Sequence, residues 1–165
     1  MDITSSNGEG RAARAASPLL DAVGKRIVEQ LQVDGRRSYA AIAKDVGLSE
    51  AAVRQRVQRL MDAGVMQIVA VTDPLQVGFH RQAMIGVGCS GDAVAVADRI
   101  AELPAVDYVV ATAGRFDLLV EVVCADDAEL LDLLSNDIRS IPEVERSEIF
   151  VYLKLVKQHY DWGTR

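Results

Sequence analysis

The segment from Tyr39 to Leu60 constrains the fold most, because its apolar residues are spaced for two short helices around a tight turn. Gly47 stands where the first helix must end, and Ser49 followed by Glu50 is a favourable start for the next. This pattern predicts a helix-turn-helix, which places its second helix in the major groove of DNA. The residues predicted to form its small core are Leu31, Ile42, Ala43, Val46, Leu48, Val53, Val57 and Leu60.

The second helix, predicted from Ser49 to about Asp62, has an apolar side and an opposite side of small, amide and guanidinium groups. Gln55 can make a paired contact to adenine, and Arg54 can contact guanine or phosphate. The other cations suit phosphate contacts, which position a protein without reading sequence. The predicted DNA-binding residues are Ser49, Ala51, Ala52, Arg54, Gln55, Arg56, Gln58, Arg59 and Lys44.

An arginine-rich helix face is often only a solvated surface, and this alternative applies to the second helix as well. The arginines alone do not separate the two interpretations. Helix, glycine turn, serine cap and polar, basic second helix occur here together, and the combination favours DNA binding.

Composition argues against several classes of protein. The chain has no run of about 20 apolar residues and no secretory signal at its start, so we expect a cytoplasmic protein without a membrane partner. Cys89 and Cys124 lie in apolar, strand-like runs and are predicted to be buried free thiols. Because His80 and His159 stand apart from other metal ligands, we expect no metal, no cofactor and no catalytic residue.

The formal net charge of −6 is divided unevenly along the chain. Residues 17–66 carry 8 Lys or Arg against 6 Asp or Glu, a net charge of +2. Residues 67–165 carry 8 Lys or Arg against 16 Asp or Glu, a net charge of −8. Double-stranded DNA is therefore the expected partner of the first segment, whereas the acidic remainder should repel DNA and serve another purpose.

From Arg81 onward, strand and helix patterns follow one another in the order β-α-β-β-α-β. This order predicts an antiparallel four-stranded sheet with helices on one face. The predicted fold class is α+β, an N-terminal (winged) helix-turn-helix followed by a C-terminal ferredoxin-like βαββαβ domain. Both faces of the last strand, predicted over Glu143 to Val156, are largely apolar. A second copy of the chain is expected to cover the open face; the alternative is scattered apolar residues on an open sheet.

The same patterns predict the domain boundaries. A first helix is predicted from about Pro18 to Val33, a short strand from Met66 to Val71, and a last helix from Asp126 to Ile141. Arg11 and Arg14 near the start could touch DNA, although an arm without function is the simpler interpretation. The predicted parts are a flexible arm over 1–17, a helix-turn-helix domain over 18–66, a linker strand over 67–80, a regulatory and oligomerisation domain over 81–157, and a tail over 158–165.

This arrangement resembles the Lrp/AsnC family of bacterial regulators, also called feast/famine proteins, over about Leu19 to Lys157. Three segments carry the resemblance: the opening helix and turn with Leu20-Asp21, Ile27-Val28, Leu31 and Asp34-Gly35-Arg36; the recognition helix with Leu48-Ser49, Val53, Arg56-Val57, Arg59-Leu60 and Gly64-Val65-Met66; and the turn from Ala113 to Leu118.

The resemblance implies a sequence-specific transcriptional regulator that responds to an amino acid or a related small molecule. It also implies dimers formed through the sheets, which associate further into octamers or similar rings. The effector-binding residues that it implies lie at the turn between the middle strands, at Thr112, Gly114, Arg115, Phe116 and Asp117.

Arg115 departs from the family, in which Asp or Asn is usual at this position. Two roles are open to its guanidinium group. It can bind a ligand carboxylate, or it can replace the ligand by pairing with Asp117, Glu121 or an acid of a neighbouring copy. Gly24 also departs, standing where the family often has Asp, and lowers helix propensity.

Two other functions match parts of the sequence. An architectural protein that organises DNA without an effector would use the same helix-turn-helix, and Arg115 favours it. An enzyme similar to the sirohaem decarboxylases would share the two-domain layout. Against the enzyme, the C-terminal half is acidic, has only two histidines, and lacks any recognisable arrangement of catalytic groups.

Overall fold

The computed structural model describes residues 20–165, which form two compact units. The helical unit comprises residues 20–70 together with residues 157–165, and the sheet unit comprises residues 71–156. The predicted arm over 1–17, with Arg11 and Arg14, lies outside the described residues.

Helix α1 (Ala22–Val33) starts later than the predicted Pro18 because Asp21 caps it. The Asp21 carboxylate accepts a 2.7 Å hydrogen bond from the Gly24 N–H, satisfying a donor that lacks a partner at a helix start. The helix ends at Val33 as predicted.

Helices α2 (Tyr39–Val46) and α3 (Glu50–Asp62) form the predicted helix-turn-helix. Gly47 ends α2 with a φ of 75°, and its N–H donates to the Ala43 carbonyl at 2.9 Å. The Ser49 hydroxyl then caps α3 by accepting from the Ala52 N–H at 3.2 Å. The predicted roles of Gly47 and Ser49 are therefore confirmed.

The three helices enclose the predicted core. Leu60 is almost fully buried, and Leu48 and Met61 pack against the core while partly exposed. The buried cluster comprises Ile27 and Leu31 of α1, Ile42, Ala43 and Val46 of α2, and Val53 and Val57 of α3. Burial of this apolar surface is what holds three such short helices together.

The predicted strand from Met66 to Val71 is not formed. A strand needs a neighbouring backbone, and no segment among residues 20–165 pairs with this one. Ile68, Val69 and Val71 are exposed instead. The linker region 67–80 contains a single 3₁₀ turn at Pro74–Gln76, and the described part of the helical unit has no wing.

The end of the chain contacts α1 within the helical unit. The Gly163 N–H donates to Gln32 Oε1 at 3.1 Å, and the Thr164 hydroxyl bonds to the Glu29 carboxylate. Residues 157–165, which include the predicted tail, are thereby tied to the outer side of the first helix.

The sheet unit has the predicted βαββαβ order and antiparallel pairing. Its strands adjoin in the order β2-β3-β1-β4. The elements are β1 (Arg81–Cys89), α4 (Ala93–Ala101), β2 (Val106–Ala111), β3 (Leu118–Cys124), α5 (Asp127–Asp132) continuing as a π-helical turn (Leu133–Ile138), and β4 (Val144–Val151).

One face of the sheet is covered by α4, α5 and the π-helical turn. Ile85 of β1 lies opposite Val120 of β3 and Ile149 of β4 at the centre of the sheet. The core on this face includes Ala83, Ile85, Val87, Leu118, Val120 and Val122 from the strands and Val96, Ile100, Leu130, Leu134 and Ile138 from the helices. Side chains alternate along a strand, so Met84, Gly86 and Gly88 lie on the other, open face.

The last helix and the last strand of the sheet unit end earlier than predicted. The last helix was predicted to Ile141, but its final turn is π-helical, with the Arg139 N–H donating to the Leu134 carbonyl, and ends at Ile138. The last strand was predicted to Val156 but ends at Val151. Val151 pairs with Ala83 and the Tyr152 N–H still donates to the Gln82 carbonyl at 2.9 Å, so the pairing of β4 stops where β1 begins.

Burial within the sheet unit raises the pKa of two cysteines and one tyrosine. Cys124 is buried as predicted, whereas Cys89 is only half-buried, and burial raises the pKa of both thiols. Burial together with the nearby carboxylate of Glu121 raises the pKa of Tyr152 to about 12. Phenol and carboxylate thus form a pair that opposes ionisation of the tyrosine.

Replacement of Gly47 by alanine tests the turn between α2 and α3. A left-handed conformation costs a residue with a Cβ atom roughly 1–2 kcal/mol, so the free energy of unfolding of the helical unit should fall by about that amount. Urea denaturation followed by circular dichroism measures this. Gly35→Ala is the matched control, because its Cβ would lie 3.7 Å from the Leu31 carbonyl oxygen, an ordinary contact. Equal losses in the two variants would contradict the assigned role of Gly47.

Tyr152 predicts how the sheet unit responds to alkaline pH. Its folded pKa of about 12 lies above the ordinary value of 10.0, so the folded state holds its proton more tightly than the unfolded state. The resulting stability is fully present below pH 10 and declines as the pH rises towards 12. Ultraviolet titration of the tyrosines should show a late component that Tyr152→Phe removes. Persistence of that component in the variant would rule out Tyr152 as its source.

Candidate DNA-binding and effector sites

The exposed side of α3 carries most of the groups predicted to contact DNA. Its buried side is fixed by Val53, Val57 and Leu60. The exposed side presents Ala51, Arg54, Gln55, Gln58 and Arg59, with Ala52 half-buried at its margin. Ala51 lies in the first turn, so the helix can approach another surface closely at that end.

Arg54 is held at the surface by two contacts. Its guanidinium lies 2.9 Å from the Glu50 carboxylate and 5.2 Å from the centre of the Tyr39 ring. A cation over an aromatic face is attracted by the ring quadrupole. Tyr39 therefore connects the start of α2 to the exposed side of α3. Sequence spacing alone did not identify it, because the contact depends on the angle between the helices.

The remaining polar groups on this side bond along the helix. Gln58 donates to Asp62 at 2.7 Å, and Arg59 lies 3.4 Å from the Gln55 side-chain oxygen. Contacts of this kind at an exposed surface are worth only fractions of a kcal/mol. A DNA phosphate or base edge can therefore replace them at little cost.

Arg56 lies away from this side, in contact with Asp21. Its guanidinium is 3.1 and 3.0 Å from the two carboxylate oxygens. The Gly24 N–H and then Arg56 lower the pKa of Asp21. The ion pair ties α3 to the start of α1, so a phosphate contact by Arg56 requires the pair to open. Lys44 is exposed near the end of α2.

The predicted effector residues form one hydrogen-bonded turn between β2 and β3. The Thr112 N–H donates to the Asp117 carbonyl at 2.8 Å, and the Thr112 hydroxyl donates to the Phe116 carbonyl at 2.6 Å. The Asp117 carboxylate accepts from the Cys89 N–H at 2.8 Å, which anchors the turn to β1. Gly114 and Arg115 remain exposed at the tip.

Arg115 pairs with Glu148 of β4, at 3.1 Å, and with neither of the two acids of its own chain that the sequence suggested. Asp117 is occupied by Cys89, and Glu121 accepts from Gln82 at 3.0 Å. Glu148 is 33 residues from Arg115, and only the pairing of Gly86 with Glu148 brings it near the turn. Sequence spacing carried no signal for that contact.

Residues 20–165 show no group of three or more His, Cys, Asp or Glu side chains that could hold a metal ion. No helix in that part of the chain is both long and apolar enough to cross a bilayer.

Two family models match the chain. Residues 20–61 match the AsnC-type helix-turn-helix domain. Residues 92–165 match a C-terminal dimeric alpha+beta barrel domain of AsnC-type transcriptional regulators. The first match contains α1, α2 and most of α3, and the second contains three strands of the sheet and its helices.

Relatives along nearly the whole chain are named as transcriptional regulators. A regulator from Pyrococcus furiosus is 32% identical, covering 88% of this chain and 97% of the relative. The regulator FL11 from Pyrococcus horikoshii is 33% identical, covering 84% and 93% respectively. The regulatory protein AsnC of Escherichia coli is 26% identical and covers 82% and 91%.

Solved structures of similar proteins share both units. The leucine response regulatory protein of Mycobacterium tuberculosis has a TM-score of 0.76 at 28% identity, covering 84% of this chain and 96% of that one. A Neisseria meningitidis transcriptional regulator in complex with L-Met has a TM-score of 0.73 at 25% identity, covering 86% and 95%. The chain therefore belongs to the Lrp/AsnC family of helix-turn-helix transcriptional regulators.

Proposed function

We propose that the chain regulates transcription by reading DNA sequence with the exposed side of α3. One observation carries this proposal: a helix fixed by three buried residues presents Ala51, Arg54 and Gln55 on the opposite side. A small residue allows approach to the groove floor, while guanidinium and amide groups suit guanine and adenine edges. Lys44 and Arg59 supply charge for phosphate contacts, as Arg56 does if its pair with Asp21 opens.

We further propose that the regulator acts as a dimer that assembles into an octamer or similar ring. Tyr108 and Phe150 expose 52% and 45% of their surface on the sheet unit, and a second copy would bury them. The matching C-terminal domain is described as dimeric, which supports the proposal. A dimer would also space two α3 helices along one duplex.

The proposed effector is an amino acid or a related small molecule bound near the turn from Thr112 to Asp117. Support comes from the Neisseria meningitidis relative, which is known in complex with L-Met. The Arg115–Glu148 ion pair favours a second candidate, a DNA-organising protein whose own acid occupies the place of the ligand. Isothermal titration against the common amino acids separates the two: heat from any of them supports an effector, and no heat with DNA binding intact supports the second candidate.

Alanine variants of α3 test the DNA contacts. Arg54→Ala and Gln55→Ala should relax sequence preference, since a good paired base contact contributes about 1–3 kcal/mol of discrimination. Lys44→Ala and Arg59→Ala should weaken binding to all sequences alike and lower the salt dependence. Binding is measured on selected and scrambled duplexes at several salt concentrations.

Arg99→Ala is the matched control, because it removes the same charge from α4 of the sheet unit. It should change neither sequence preference nor salt dependence. If Arg54→Ala and Gln55→Ala leave the footprint and the preference unchanged, these two residues do not read bases.

A further inference from the structure

On the open face of the sheet, the ring of Phe116 packs directly against Gly86. A Cβ atom added to Gly86 would lie only 2.5 to 2.7 Å from three atoms of the Phe116 ring, so the ring rests directly on the backbone of β1. The edge of the ring meets Phe150, with centroids 6.3 Å apart. The residue after Arg115 is therefore locked in place, and this fixes the tip of the effector turn.

Arg146 packs in the same way against Gly88 of the same strand. A Cβ atom at Gly88 would lie 2.4 Å from Nε of Arg146, so this side chain crosses the sheet where β1 lacks one. Arg146 donates to the Arg115 carbonyl, and its guanidinium carbon lies 5.5 Å from the Phe116 ring centre. The guanidinium carbon of Arg115 lies 5.4 Å from the same centre. Two cations thus adjoin one aromatic ring beside the turn.

Most of the carboxylates near these cations are engaged by other groups, and Glu145, which precedes Arg146, forms no ion pair among residues 20–165. Asp117 bonds to the Cys89 N–H, Glu121 to Gln82, and Glu143 to Arg99. Glu148 pairs with Arg115, and among residues 20–165 Arg146 forms no ion pair. The side chains of Arg115 and Glu148 are 73% and 43% exposed, so their ion pair is worth little and opens readily.

We propose that Arg115 and Arg146 bind an anionic effector, an acidic amino acid or a related dicarboxylate, whose carboxylate displaces Glu148 from Arg115. Guanidinium groups bind carboxylates through paired, charge-assisted hydrogen bonds, and two of them suit a ligand with two carboxylates. The inference rests on the proposed effector function of the turn and names the chemical class of its ligand. Glu148 competes with the ligand carboxylate for Arg115.

Isothermal titration of the full-length protein tests the proposal with L-glutamate and L-aspartate as probes, and with L-glutamine and L-methionine as uncharged comparisons. L-glutamate should bind at least about tenfold more tightly than L-glutamine, the difference expected for one charge-assisted contact. Arg115→Ala and Arg146→Ala should each weaken L-glutamate binding by a similar factor. Glu148→Gln should strengthen it, because the competing carboxylate is removed. Arg81→Ala should leave it unchanged, because Arg81 lies at the other end of β1 and pairs with Asp127.

Other outcomes would overturn either the ligand class or the residues assigned to the site. If L-methionine or L-glutamine binds as tightly as L-glutamate, the ligand class is wrong while the effector function stands. If none of the four probes binds, the dicarboxylate class is wrong, and the titration against the common amino acids decides separately whether the turn binds an effector at all. If L-glutamate binding is insensitive to Arg115→Ala or weakened by Glu148→Gln, the assigned residues are wrong. Equal binding of inorganic phosphate would make this a general anion site and would also overturn the dicarboxylate class.

Discussion

The left-handed turn at Gly47, followed at once by the Ser49 cap, is the constraint on which the DNA-binding half depends. Gly47 allows α2 to end abruptly, and the Ser49 cap lets α3 begin at Glu50, three residues after Gly47, in a new direction. That direction puts Val53 and Val57 against Ile42 and buries all three completely. The opposite side of α3 is then exposed to solvent, because an amphipathic helix that buries its apolar side leaves its polar side at the surface.

The sheet unit holds the turn between β2 and β3, the proposed effector site, in a fixed conformation at the surface. Its helices cover one face, and the glycines of β1 leave room on the other for Phe116 and Arg146. The hydrogen bond from the Cys89 N–H to Asp117 and the packing of Phe116 on Gly86 hold the turn from two sides. Arg115 therefore projects from a defined base, although its own side chain is exposed.

Much of the fold followed from sequence periodicity, and the failures have physical causes. Helices α2 and α3 were predicted well because capping and burial are encoded within a few residues. The strand expected at Met66 failed because strand pairing depends on a partner that local sequence does not specify. For the same reason the last strand was predicted too long. In the sites, the pairs Arg56–Asp21 and Arg115–Glu148 span 35 and 33 residues, so only the folded backbone reveals them.

We propose that α3 enters the major groove with Arg54 and Gln55 towards the bases. Methylation protection by dimethyl sulfate measures it directly, because guanine N7 lies in the major groove and adenine N3 in the minor groove. We expect the bound protein to protect guanine N7 atoms within its site, and Arg54→Ala to restore their methylation. Protection confined to adenine N3, or none on a fully occupied site, would contradict it.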